Sequence, residues 1–142
     1  MATSKDYLLL FVNAPAGRYA LDRIRTMKGM FLLSRDDNSD LRDIYEFKAY
    51  NWGPFSTEVY RDLDVLLAEG LIATDHDTRH RYEAYRATRL GEERAGEVAA
   101  PDQVSNKIRE LKMLTTSMSF LDLLEHVYDL HPEYATKSKL RR

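Results

Sequence analysis

The side chains that could do chemistry in this chain are cations and histidines rather than nucleophiles. Arg18, Arg23, Arg25 and Lys28 crowd into residues 18–28 against the single acid Asp22. A local positive excess of that kind contacts phosphate or another anion. Thr57 and Arg61, one helical turn apart, form a second candidate contact set, and Arg79 and Arg81 in the run DHDTRHR form a third. Arginines on such a turn can touch a phosphate or a minor groove, although Asp75 and Asp77 cancel its charge. The chain end is also basic, with Lys137, Lys139, Arg141 and Arg142 against Glu133. Residues 35–46 lean the other way, with Asp36, Asp37, Asp40, Asp43 and Glu46 against Arg35 and Arg42.

Catalytic chemistry finds little support. There is no cysteine, so a thiolate nucleophile, a thiolate zinc site and a disulfide framework are excluded. Acids are plentiful, but no nucleophile elbow or glycine-rich phosphate loop accompanies them. His76 and His80 are four apart, a spacing that grips a metal only from one face of a helix. Here they flank a turn, which predicts surface positions; His126 and His131 are isolated and read as packing residues. No enzyme activity, cofactor or metal is expected.

Periodicity supplies the elements that must position these groups. Tyr7 to Val12 starts a short helix, capped by Ser4 and ended by Pro15 and Gly17. The run is too short to span a membrane, and it reads as a buried helix rather than a secretion signal. Leu21, Ile24, Met27, Met30 and Phe31 recur at three- and four-residue steps and predict a second helix with one apolar face. Gly29 inside it marks close packing against a neighbour. RDDNSD at 35–40 is turn chemistry, and Tyr45, Phe47 and Ala49 alternate as a strand does. Trp52-Gly53-Pro54-Phe55 reads as a turn whose aromatic residues close the core, with a binding loop as the other reading.

The best-specified element follows. Ser56 caps a helix, Glu58 sits in its first turn, and Phe55 staples against Tyr60. Val59, Leu63, Leu66 and Leu67 form its buried stripe, Gly70 supplies the left-handed stop, and Leu71 folds back onto Leu66. Leu71–Thr74 and Arg81–Ala87 read as strands around the turn Asp75–His80. Thr88 caps a helix through Leu90, Ala95 and Val98 that Pro101 stops. Another helix spans Asp102–Leu114 on Val104, Ile108 and Leu111. Ser119 opens a last one with Phe120, Leu123, Leu124 and Val127 inward, and Pro132 ends it.

With 142 residues, 44% hydrophobic and 31% charged, the chain is expected to be one globular domain over 1–134, with a basic, flexible tail over 135–142. The class is mainly α with a small β-hairpin wing (α+β). Its order is that of a winged helix-turn-helix with extra C-terminal helices. YRDLDVLLAEGLI followed by RYEAYRATRLGEERA resembles the recognition helix and wing of bacterial winged-helix regulators.

Three blocks carry a closer resemblance: DRIRTMKGMFLLS, FKAYNWGPFSTEVYRDLDVLLAEGLI and SFLDLLEHVYDLHPEYATKSKL. They resemble the YwgA-like family of small winged-helix proteins and the related Panacea-type antitoxin domain. Met27 and Gly29 depart from the RLQKLLFL-like run common in the first block. The resemblance implies a small cytoplasmic partner-binding protein, in some members an antitoxin, and brings no catalytic residues.

Two target classes stay open. The winged-helix order and the basic segments favour a DNA-associated transcriptional regulator contacting its target through Arg18, Arg23, Arg25, Lys28, Thr57, Arg61, Arg79 and Arg81. The net charge of −2 and the acidic face of the helix after Ser56 favour a protein-interaction module such as an antitoxin or adaptor. On that face Arg61 stands against Glu58, Asp62, Asp64 and Glu69, which phosphates repel. No membrane partner is expected. A homodimer is, because Phe120, Leu123, Leu124, Val127 and Tyr128 form an apolar band wide enough to serve a second copy.

Overall fold

A computed structural model describes residues 2–77 and 82–139. Helix α1 (Ser4–Asn13) starts one residue earlier than the expected Ser4 cap would place it. Thr3 is the cap, and Asp6 closes a reciprocal capping box with it. Leu8, Leu9 and Phe11 are wholly buried.

Helix α2 (Arg23–Ser34) departs from the predicted amphipathic pattern. Every residue from Arg25 to Ser34 is buried, Arg25 and Lys28 included. The reason is its central position, with α1, β2 (Gly53–Phe55), α5 (Asp102–Thr115) and α6 (Phe120–Leu130) packed around it. Ile24, expected on the inner face, is instead 37% exposed. Asp22 caps the helix by accepting from the Arg25 backbone N–H at 2.7 Å.

Tyr45 and Phe47 are buried as their alternation requires. The ladder itself begins at β1 (Lys48–Tyr50), which pairs antiparallel with β2 (Gly53–Phe55), Lys48 opposite Phe55 and Tyr50 opposite Gly53. Gly53 and Pro54 thus belong to a second hairpin strand rather than to a turn. Trp52, at the hairpin tip, is 43% exposed and does not close the core.

Helix α3 (Thr57–Ala68) keeps its predicted stripe. Val59, Leu63, Leu66 and Leu71 are buried, and Leu67 is partly buried against the same core. Gly70 takes φ +74°, and the Leu71 N–H donates to the Leu66 carbonyl at 3.0 Å while the Gly70 N–H donates to Leu67 at 3.1 Å. Both bonds of the left-handed helix stop are therefore present. Ser56 does not cap α3 through its side chain. Its N–H donates to Met27 Sδ at 3.3 Å, and its buried Oγ has no partner among the described residues.

Strand β3 (Ile72–Asp77) runs further than predicted and pairs antiparallel with β4 (Tyr82–Ala87). A bridge between Asp22 and Ala84, with the Tyr85 N–H donating to the Leu21 carbonyl at 2.8 Å, ties the start of α2 to β4. Helix α4 (Arg89–Glu97) is capped by Thr88, and it buries Gly91 and Ala95 but leaves Leu90 49% exposed.

Helix α5 (Asp102–Thr115) buries Val104, Ile108 and Leu111. Its Lys112 crosses to the end of α1 and donates to the carbonyls of Phe11, Val12 and Ala14 at 3.0, 2.9 and 2.7 Å. Those are carbonyls of the kind a helix end leaves unmatched. Helix α6 (Phe120–Leu130), capped by Ser119, lays Leu123, Leu124, Val127 and Tyr128 fully inside the same chain. Four of the five residues of the band assigned to a second copy are thus covered by their own chain, and Phe120 is half-buried. The start of the predicted tail is tied down as well. A 3₁₀ turn at Pro132–Ala135 puts Tyr134 on Phe31 at 4.6 Å, and the Lys139 N–H donates to the Asn51 carbonyl at 2.8 Å. The architecture is α+β, and no helix among the described residues is long and apolar enough to cross a membrane.

Candidate partner-binding cleft

The burial of α2 divides the cations that sequence placed together. Arg25 turns inward: its guanidinium pairs with Asp22, donates to the Met118 carbonyl at 2.9 Å, and lies 4.5 Å from the Tyr19 ring centroid. Lys28 is 4% exposed, and its ammonium donates to the Pro54 carbonyl at 3.2 Å. Both cations are therefore buried rather than presented on an outer helix face as the sequence suggests. Arg18 is exposed and leans on the Tyr19 ring, 5.5 Å from its centroid. Arg79 and Arg81 lie outside the described residues.

Arg23, by contrast, packs against α3. Arg23 sits 4.4 Å above the Tyr60 ring, donates from Nε to the Tyr85 hydroxyl at 3.1 Å, and comes within 4.0 Å of Asp64. The hydrogen bond to Tyr85 raises its already high pKa. Thr57 and Arg61 are exposed on the same helix as Tyr60.

Around Tyr60 the surface is aromatic. Phe55 meets Tyr60 edge-on at 5.1 Å, as the predicted staple requires, and Tyr50 meets Phe55 at 5.3 Å. Trp52 contacts Phe120, the first residue of α6, at 5.9 Å. Ile24, Met27, Lys28, Tyr50, Trp52, Phe55 and Tyr60, with the Gly53 backbone, enclose an open cleft of about 230 Å³. Ile24 also borders an adjoining hollow of about 260 Å³ lined by Asp22, Arg23, Glu83 and Tyr85.

Gly53 is required where it stands. Its φ is +94°, and a Cβ there would lie 2.9 Å from Leu124 Cδ1 and 3.0 Å from Lys28 Cε. The hairpin is therefore pressed onto α2 and α6, which holds Trp52 and Tyr50 at the rim. At the back of the cleft, burial lowers the Lys28 ammonium to a pKa of about 8, against a raising influence from Asp22.

The cleft could do one thing well. Large aromatic side chains on a rigid hairpin and helix accept an apolar group with little ordering cost. Sequence reasoning took Trp52 for a core residue and did not connect Ile24, Tyr50 and Tyr85 to it. The usable signal was the density of Tyr50-Asn51-Trp52-Gly53-Pro54-Phe55 in a stretch otherwise rich in charge. No protein-family model and no curated protein sequence matches this chain.

Proposed function

We propose that this chain is a binding module built on the winged-helix order and working in the cytoplasm, and that its target is another protein. One observation carries the reading: Ile24, Tyr50 and Trp52 are 37%, 54% and 43% exposed and border one cleft. The other large exposed apolar side chains among the described residues, Val65, Leu90, Met113, Leu121 and Leu130, are not in its lining. Contiguous apolar surface of this kind marks an interaction site, and tryptophan and tyrosine supply most of the energy at such sites. The partner contributes an apolar side chain seated between Trp52 and Tyr60. The test is recovery of a partner from source cells, its purification, and its reassembly with wild-type and Trp52→Ala protein. Trp52→Ala is expected to weaken the reassembled complex by about thirtyfold, the size of a central hot spot. A complex indifferent to Trp52→Ala and Tyr50→Ala refutes the reading.

A second reading keeps DNA as the target. It is favoured by Arg23, which touches both α3 and β4 through Tyr60 and Tyr85, and by the exposure of Thr57 and Arg61 on α3. The acids of α3 and its C-cap Glu69 oppose it, although each has a partner: Asp64 lies 4.0 Å from Arg23, and Glu58 accepts from the Glu46 backbone N–H at 3.3 Å. Asp62 accepts from the Tyr45 hydroxyl at 2.6 Å, and Glu69 pairs with Lys5 at 2.9 Å. Fluorescence anisotropy with a labelled duplex separates the two readings.

A further inference from the structure

Lys28 is an unusual lining for an aromatic cleft. Its ammonium carries three donors, and among the described residues one bond is made, to the Pro54 carbonyl. No carboxylate of those residues forms an ion pair with it. The acid that acts on it, Asp22, is already committed to Arg25. A buried cation with spare donors and no counter-ion is costly, and an anion arriving through the cleft relieves that cost.

We infer that Lys28 is the anion anchor of this cleft, and that it receives the free C-terminal carboxylate of a partner chain ending in an apolar residue. The inference rests on the reading that this face binds a protein. A chain end is the occupant that fits the space. Its α-carboxylate is separated from its own side chain by the Cα alone, so both enter a cleft of about 230 Å³ together. An internal acid would have to bring a continuous backbone past the Trp52 rim. The aromatic walls take the terminal side chain, and the ammonium takes the carboxylate in a charge-assisted hydrogen bond.

The test uses the full chain and an acetylated tetrapeptide ending in leucine, as free acid and as C-terminal amide. Trp52 is the only tryptophan, so its fluorescence reports occupancy at the cleft itself. The free acid is expected to bind about tenfold or more tightly than the amide, the ratio a charged hydrogen bond provides. In Lys28→Met, with its fold checked by thermal unfolding, the acid should fall to the affinity of the amide.

The acid–amide comparison is made on the wild-type chain, so it stands even where a variant folds poorly. Equal binding of acid and amide overturns the anchor while leaving the protein-binding reading intact, which Trp52→Ala tests separately. Failure of both peptides to bind also overturns it. As a last arm, 4-phenylbutyrate binding more tightly than the peptide acid overturns the chain-end assignment in favour of a small apolar carboxylate.

Discussion

The ring of Phe11 on α1 lies directly against the backbone of Gly29 on α2, where a Cβ would stand 2.2 Å from Phe11 Cζ. Phe11 is fully buried, so it has no open space to swing into. Gly29→Ala is therefore expected to destabilise the fold by about 1–3 kcal/mol through overpacking. This should happen although alanine favours a helix over glycine by about 1 kcal/mol. Urea unfolding measures the balance, and a variant as stable as the parent would mean that α1 can shift.

Leu63 and Leu67 share the α3 stripe, but only Leu63 is sealed from solvent. Leu63→Ala should cost about 2–5 kcal/mol, the range of a core cavity. Leu67→Ala should cost less, because a half-exposed site gives up less buried area. Equal losses would contradict the unequal burial of the two leucines.

Stability should rise on the alkaline side. Burial lowers Lys28 and Lys112 from 10.5 to about 8. Between those values the unfolded chain binds more protons than the folded one, so stability increases with pH there and is lost as pH falls through about 8. Tyr45 acts in reverse: burial and its bond to Asp62 hold its phenol above 10.0. Its contribution is complete below that value and is lost as pH climbs past it. Denaturation followed from about pH 7 to 11 should show a maximum near pH 9–10, with a gain on the order of a few kcal/mol. A curve that declines steadily from neutrality would rule out the buried ammoniums as its source.

Sedimentation at micromolar concentration should give a 16.5 kDa monomer. Leu123, Leu124, Val127 and Tyr128 are all 0% exposed within one chain. The outer face of α6 carries the acids Asp122, Glu125 and Asp129 among Leu121 and Leu130, and like charges on a shared face oppose two-fold pairing. A dimer that dissociates on Leu121→Glu would reverse this expectation.

If the chain touches DNA, affinity should be weak and fall steeply with salt, since the contacts left are scattered arginines on phosphate. Arg61→Ala should then weaken binding evenly across sequences. Tight binding unchanged between low and high salt would point to base reading that α3 does not present.

Local chemistry determined the elements. The Gly70 stop, the Phe55–Tyr60 staple, the Thr88 and Ser119 caps and the stripe of α3 depend on residues a few positions apart, so spacing alone reveals them. Even the tight place at Gly29 was legible, because glycine in a helix interior costs propensity and needs a reason. What sequence could not decide was which faces end up inside. Arg25 and Lys28 look like an outer face until α1, α5, α6 and β2 enclose α2. Trp52 looks like core until the hairpin holds it at a rim, and the α6 band looks like an interface until its own chain covers it. Burial is set by neighbours far apart in the chain, and a periodic pattern marks a face without naming what will cover it. The cleft exists for the same reason: residues 24, 52 and 60 are brought together only when α2, the hairpin and α3 pack against one another.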